Sequence, residues 1–225
     1  MIHWHDINTV LLDMDGTLLD LHYDNYFWLE YLPQRYADKY EHPIEAVKRD
    51  LLSQIMSQQG RLNWYCLDYW SERLQIDVLS LKSEIKHLIQ LRPFAEAFLR
   101  QLSHSQQQVM LVTNAHRAGL NLKLQQTNLA PWFDQIISSH DYNAPKESQE
   151  FWQQLQYNHP FDPEHTLFID DSPSVLTSAQ TYGIKYLLTL LQPDSQQAVR
   201  TETQFPGILH FEDIMPLPND SLLND

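Results

Sequence analysis

The sequence is poor in three things, and each shortage narrows the field. It has one cysteine, Cys66, in 225 residues. A single thiol cannot close an internal disulfide or build a cysteine-rich zinc site, and it fits a reducing cytosol. Basic residues number 15 against 29 acidic ones, giving a formal net charge of −14. Such a surface repels phosphate backbones, which argues against long nucleic acid as a partner but not against one small anion held locally. Long apolar runs are also missing: none approaches the roughly 20 residues that span a bilayer. The opening MIHWHDINT lacks the basic-then-apolar order of a secretory leader. We expect a cytoplasmic protein with no membrane partner.

What is present is a chain that folds. Its hydrophobic fraction of 43% excludes disorder, and its length suffices for one domain plus an insert. Short apolar runs recur at Thr9–Asp13, Val109–Thr113, Asp134–Ser138, Thr166–Asp170 and Ile184–Leu190. Their continuity predicts strands buried on both faces of a parallel sheet. Helical patterns fall between them near 93–103, 116–126, 148–157 and 172–182, with Ser172-Pro173 reading as an N-cap followed by a first-turn proline. The alternation predicts a doubly wound parallel-sheet α/β fold. Residues 21–91 interrupt it with helical spacings of Leu, Gln, Tyr and Trp, punctuated at Pro33, Pro43 and Gly60. We expect an α-helical insert of about four helices there, and an α/β core formed by 1–20 and 92–225. The closing PLPNDSLLND reads as a loosely held tail.

The chemistry gathers at predicted strand ends, where open α/β sheets bind ligands. The first strand runs into VLLDMDGTLLD, placing Asp13 and Asp15 one residue apart beside Gly16. The second ends in Thr113-Asn114, Lys146 follows the third, and the fourth ends in Asp170-Asp171. Four carboxylates sharing a pocket need a cation, and hard oxygen donors suit Mg²⁺. An aspartate can act as nucleophile and a neighbouring one as general acid and base. A hydroxyl and an ammonium can hold phosphoryl oxygens, and phosphoryl transfer rests mainly on such positioning.

The ordered segments LLDMDGTLLD, LVTNAH, PKES and LFIDDSPSVL resemble the haloacid dehalogenase-like hydrolase superfamily. The resemblance implies a Rossmann-like core with an inserted α-helical cap. It implies Asp13 as nucleophile and Mg²⁺ ligand, and Asp15 as acid/base with its main-chain carbonyl on the metal. Asp171 becomes a direct metal ligand, Asp170 a partner at the metal site, and Thr113, Asn114 and Lys146 phosphate-binding residues. Many relatives carry a proline after the motif lysine, whereas here Pro145 precedes Lys146. Lys123 is the rival, but mid-helix in LNLKLQQ it reads as a solvated charge.

Within the insert, DLHYDNYFW and LNWYCLDYWSERL resemble the bacterial purine nucleotidase branch acting on GMP and IMP. This implies a small phosphorylated substrate, a purine nucleoside 5′-monophosphate. Asn25, Trp64, Asp68 and Tyr69 are then candidate substrate contacts, since rings stack on bases and polar groups bond their edges. Core packing is the competing reading for the rings; capping or solvation competes for Asp24, Asn25 and Asp68. His116 reads as a helix-start or surface residue and Cys66 as a small buried side chain. Alternatives within the superfamily are a sugar-phosphate phosphatase or a phosphomutase; a non-catalytic phosphate-ligand-binding protein is a third class. A monomer or weak homodimer is expected.

Overall fold

The computed structural model describes residues 2–215 and 217. Six parallel strands form one sheet: β1 (Thr9–Leu12), β2 (Gln108–Thr113), β3 (Gln135–Ser138), β4 (Thr166–Ile169), β5 (Tyr186–Leu190) and β6 (Gly207–Ile208), in the order β3-β2-β1-β4-β5-β6. β1 is central, and all four of its residues are buried. Val10 and Leu12 enter one core; Leu11 enters a second with Met110, Val112 and Phe168. An unbroken apolar run is what such a strand requires, because successive side chains point to opposite, covered faces. Leu12 pairs with Leu111 on one side and Ile169 on the other, so the polar residues beyond these strands emerge together.

After β1 come only helical elements until β2: α1 (His22–Tyr26), a π-helical turn (Phe27–Tyr31), α2 (Leu32–Tyr40), α3 (Ile44–Met56), α4 (Leu62–Tyr65), α5 (Leu67–Leu74), α6 (Val78–Glu84), a 3₁₀ turn (Lys86–Leu88) and α7 (Ala95–Leu102). Pro33 does not break the chain as expected; helical backbone runs straight through it. A proline there lacks an N–H and crowds the carbonyl one turn back, and the π turn just before it accommodates that misfit. The interruption falls instead at Cys66, whose φ of −82° and ψ of 109° separate α4 from α5. The chain's exit into the insert and its return lie side by side: Asp20 N–H donates to Gln90 O at 2.9 Å and Arg92 N–H to Leu18 O at 2.9 Å.

The remaining helices are α8 (Arg117–Thr127), α9 (Gln149–Asn158) and α10 (Pro173–Tyr182), each within two residues of the sequence reading. Ser172 is the N-cap of α10 with Pro173 at its first position. Pro93 lies just ahead of α7 rather than in its first turn, because Phe94 takes the N-cap at φ 63°. The two-residue β6 had no readable pattern. Of the expected loose tail, Leu217 is buried, with its N–H bonded to Gln101 Oε1 at 3.0 Å; residues 216 and 218–225 lie outside the described residues. No helix among the described residues is long and apolar enough to cross a membrane.

Candidate active site

The sheet's order switches direction between β1 and β4, where ligands of doubly wound folds settle. Asp13 and Asp15 follow β1, Thr113 ends β2, Lys146 comes after β3, and Asp170 and Asp171 follow β4. All of them, with Asn114, line one cavity of about 350 Å³. The turn after β1 depends on Gly16, at φ +82°; a Cβ there would lie 2.7 Å from Asp171 Cγ. Both the left-handed backbone and the close approach call for glycine.

Lys146 is the electrostatic hinge of the floor. Its Nζ donates to Asp13 Oδ1 at 2.5 Å, Asp170 Oδ2 at 2.7 Å and Val112 O at 3.1 Å. Despite burial, the two carboxylates hold this ammonium above its usual range. Burial raises Asp13 to about 6 against the pull of Lys146, with Asp170 adding to the rise. Asp170 spends its other oxygen on Ser172 N–H at 2.8 Å. Asp171 is different. Burial first, then the charges of Asp170 and Asp13, push it well above the carboxylate range, and Arg200 Nη2 stays 3.9 Å away. Oxygens of Asp13, Asp170 and Asp171 come within 4.8 Å of one another. One ammonium cannot balance three carboxylates in so small a space, so this all-oxygen set fits a hard divalent cation.

Lys123 overturns its sequence reading. Its side chain is only 3% exposed, with Nζ 2.6 Å from both Asp15 Oδ1 and Asp24 Oδ2. The approach to Asp24 is a well-formed hydrogen bond; that to Asp15 is an ion pair poorly angled for one. Lys82 reaches the other oxygen of Asp24 at 2.7 Å and sits over the rings of Tyr23 and Phe27 at 4.7 and 4.3 Å. Burial opposes ionisation of Asp24, yet Lys123 and Lys82 hold it well below the carboxylate range. Burial also pushes Asp15 up to about 6, opposed by Lys123 and assisted by Asp24 and Asp13. A buried network therefore joins Asp15 to the insert. The available signal was phase: Lys82 falls on the same buried face as Val78 and Leu81, and Lys123 with Gly119 and Leu120.

The other candidates divide. Thr113 is buried at the cavity, its Oγ1 accepting from Ala115 N–H at 3.0 Å. Asn114 uses both ends of its amide within the protein: Oδ1 accepts from Lys146 N–H at 2.9 Å and Nδ2 donates to Glu147 Oε2 at 3.0 Å. Glu147 in turn accepts from Tyr65 OH at 2.7 Å, a link between insert and core that the sequence did not suggest. Trp64 and Asn25 line the cavity, but Asn25 Nδ2 is committed to buried Asp194 at 2.7 Å. Asp68 and Tyr69 do not line it. Asp68 is 85% exposed and faces His116 Nε2 at 3.5 Å; Tyr69 packs edge-on against Trp70. The reason is the break at Cys66, which resets helical phase between Trp64 and Tyr69. His116, read as a helix-start or surface residue, is the N-cap of α8 and lines the cavity; Cys66 is half-buried.

Comparison with known proteins agrees with this geometry. Residues 10–189 match the haloacid dehalogenase-like hydrolase family. The GMP/IMP nucleotidase YrfG of Escherichia coli K12 is 39% identical over 215 residues, covering 96% of this chain and 97% of that protein; the Shigella flexneri protein of the same name gives the same figures. Among solved structures, a HAD phosphatase from Thermococcus onnurineus superposes with a TM-score of 0.76 at 19% identity, over 97% of this chain and 98% of that one. A HAD-superfamily hydrolase of subfamily IA from Geobacter sulfurreducens gives 0.61 at 17% identity, over 93% and 95%. With the sheet order, the acidic strand ends and a family match over most of its length, the chain belongs to the haloacid dehalogenase-like hydrolases.

Proposed function

We propose that this protein is a Mg²⁺-dependent phosphomonoesterase that hydrolyses purine nucleoside 5′-monophosphates, IMP and GMP foremost, with residues 21–91 acting as its cap. One observation carries the reading: the cavity has a charged floor and a mostly apolar roof, with Asp24, Asn25, Tyr65 and Lys82 as the polar groups on the insert side. The floor holds Asp13, Asp15, Thr113, Lys146 and Asp171; Trp28, Leu29, Leu52, Ile55, Met56 and Trp64 face it from the insert. Leu29, Leu52 and Met56 stay 48%, 45% and 47% exposed, a large apolar area left open around a polar centre. Such pockets bind ligands with one charged and one flat apolar end. The full-length similarity to a GMP/IMP nucleotidase supports the same substrate class.

In this reading Asp13 attacks phosphorus in line and forms an aspartyl-phosphate as the ester P–O bond breaks. Asp15 gives its proton to the departing ribose oxygen, then takes one from the water that attacks the aspartyl-phosphate. Lys146 and Thr113 hold phosphoryl oxygens, and Asn114 acts at one remove by fixing the main chain of Lys146. Asp13, Asp170, Asp171 and the Asp15 carbonyl would hold Mg²⁺, which supplies charge neutralisation for the phosphoryl group. Trp28 and Trp64 offer ring faces to the base and exclude water.

The test is a panel of phosphate monoesters with Mg²⁺: IMP, GMP, AMP, UMP, phosphoglycolate and hexose phosphates. The proposal expects the highest kcat/KM for IMP and GMP with release of inorganic phosphate. A hexose phosphate turned over faster, or isomerised without phosphate release, contradicts it.

A further inference from the structure

We propose that Cys66, His116 and His140 form a second metal site, for a divalent transition metal of the zinc class, clasping the helical insert to the α/β core beside the cavity. The thiol sulfur and one nitrogen of each imidazole lie within 4.8 Å of one another. Cys66 comes from the insert, at the N-cap of α5; His116 is the N-cap of α8, and His140 lies in a 3₁₀ turn (Ser139–Asp141) directly after β3. No step of the phosphatase chemistry uses any of the three.

Two observations point to a ligand. His116 Nδ1 and His140 Nε2 are both buried with no hydrogen-bond partner among the described residues. Buried polar atoms are almost always satisfied, so two bare imidazole nitrogens converging beside one thiol need a reason. The other nitrogen of His116 is also engaged: Nε2 faces Asp68 Oδ2 at 3.5 Å. Metal-ligating histidines are oriented in this way, by a carboxylate or carbonyl on the nitrogen not facing the metal. The rings meet edge to face at 4.9 Å.

The scaffold beneath is braced. Ser138 Oγ donates to Ala115 O at 2.7 Å and accepts from His140 N–H at 3.2 Å. Asp141 Oδ2 accepts from Ser138 N–H at 3.0 Å. The segments that carry His116 and His140 therefore form one unit, and Cys66 approaches it from the insert. One sulfur and two nitrogens suit zinc-class ions, whereas the nearby carboxylates suit magnesium, so the two sites differ in the metal they take. Three protein ligands leave a fourth position for water. At bond lengths of about 2.3 Å to sulfur and 2.0 Å to nitrogen, ligand atoms around zinc sit roughly 3.3–3.7 Å apart. Occupation would therefore tie the insert to the core, with Cys66 losing its proton to solvent.

The test titrates metal-stripped full-length protein with Co²⁺, a spectroscopic stand-in for zinc, and reads the near-ultraviolet thiolate-to-cobalt charge-transfer band. Since Cys66 is the sole thiol in the chain, any such band reports this residue alone. The expected result is saturation at one equivalent, displacement by Zn²⁺ and indifference to excess Mg²⁺. C66S should lose the band, and H140A should weaken Co²⁺ binding at least tenfold while remaining folded by circular dichroism. D13N should keep the band, which separates this site from the carboxylate cluster. Absence of the band in the wild type overturns the proposal, whatever the variants do. Undiminished affinity in folded H140A overturns it as well.

Discussion

The floor and the roof of the cavity are built in opposite ways. The floor is polar, buried and cross-braced, with Lys146 tied to two carboxylates and Lys123 to two more. Its aspartates Asp13, Asp15, Asp170 and Asp171, with Thr113 and Lys146, follow or end four parallel strands whose register fixes their spacing, while Lys123 reaches in from α8. The roof is mostly apolar, partly open and carried on helices; its polar members, Asp24, Asn25, Tyr65 and Lys82, are spent on partners within the protein. The difference separates two tasks. Groups that touch a phosphate need fixed positions and balanced charge, which strand ends and buried ion pairs supply. Groups that choose the rest of the substrate need area and shape, which aromatic and aliphatic side chains supply.

Substitutions at the two surfaces should therefore fail differently. Replacing Asp13 with Asn should lower kcat by about a thousandfold or more for every ester, with the thermal midpoint little changed. Residual turnover near wild type in purified protein would refute a nucleophilic floor. Chelation by EDTA should silence all substrates alike and added Mg²⁺ should restore them; activity that survives metal stripping would mean that the carboxylates work without a cation. Lys123→Met cuts the link between floor and insert. It leaves the partly buried Asp15 without this partner, while Asp24 keeps Lys82, and should cost about 2–3 kcal/mol in urea unfolding. The exposed Arg100–Glu96 pair provides the control: Arg100→Ala should cost less than about 1 kcal/mol. The smallest effect belongs to Asp68 and Tyr69. Their alanine variants should keep the ratio of IMP to small-ester turnover within about twofold, because neither reaches the cavity; a tenfold change would restore them to the roof.

The sequence disclosed the floor more fully than the roof, for a physical reason. Asp13, Asp15, Asp170 and Asp171 sit within short motifs next to apolar strands, so local order carries both their chemistry and their place. The five long strands were legible because burial on both faces demands unbroken apolar runs, while β6 is too short to show one. Asp24 finds its partners 58 and 99 residues away, a separation no local pattern encodes. The same holds for Cys66 with His116 and His140. The misplacement of Asp68 and Tyr69 came from carrying helical phase through Cys66, where the backbone turns extended. Pro33 misled in the reverse direction, since a π turn let the helix continue.

The most direct test of this division is Trp64→Ala, assayed with IMP and with a small artificial phosphate ester. Trp64 lines the cavity on the insert side and touches none of the phosphate chemistry. Loss of one stacked ring is worth about 1–3 kcal/mol, so kcat/KM for IMP should fall roughly ten- to a hundredfold relative to the small ester. If the folded variant loses both activities equally, or neither, the roof does not select the substrate and the division between the two surfaces is wrong.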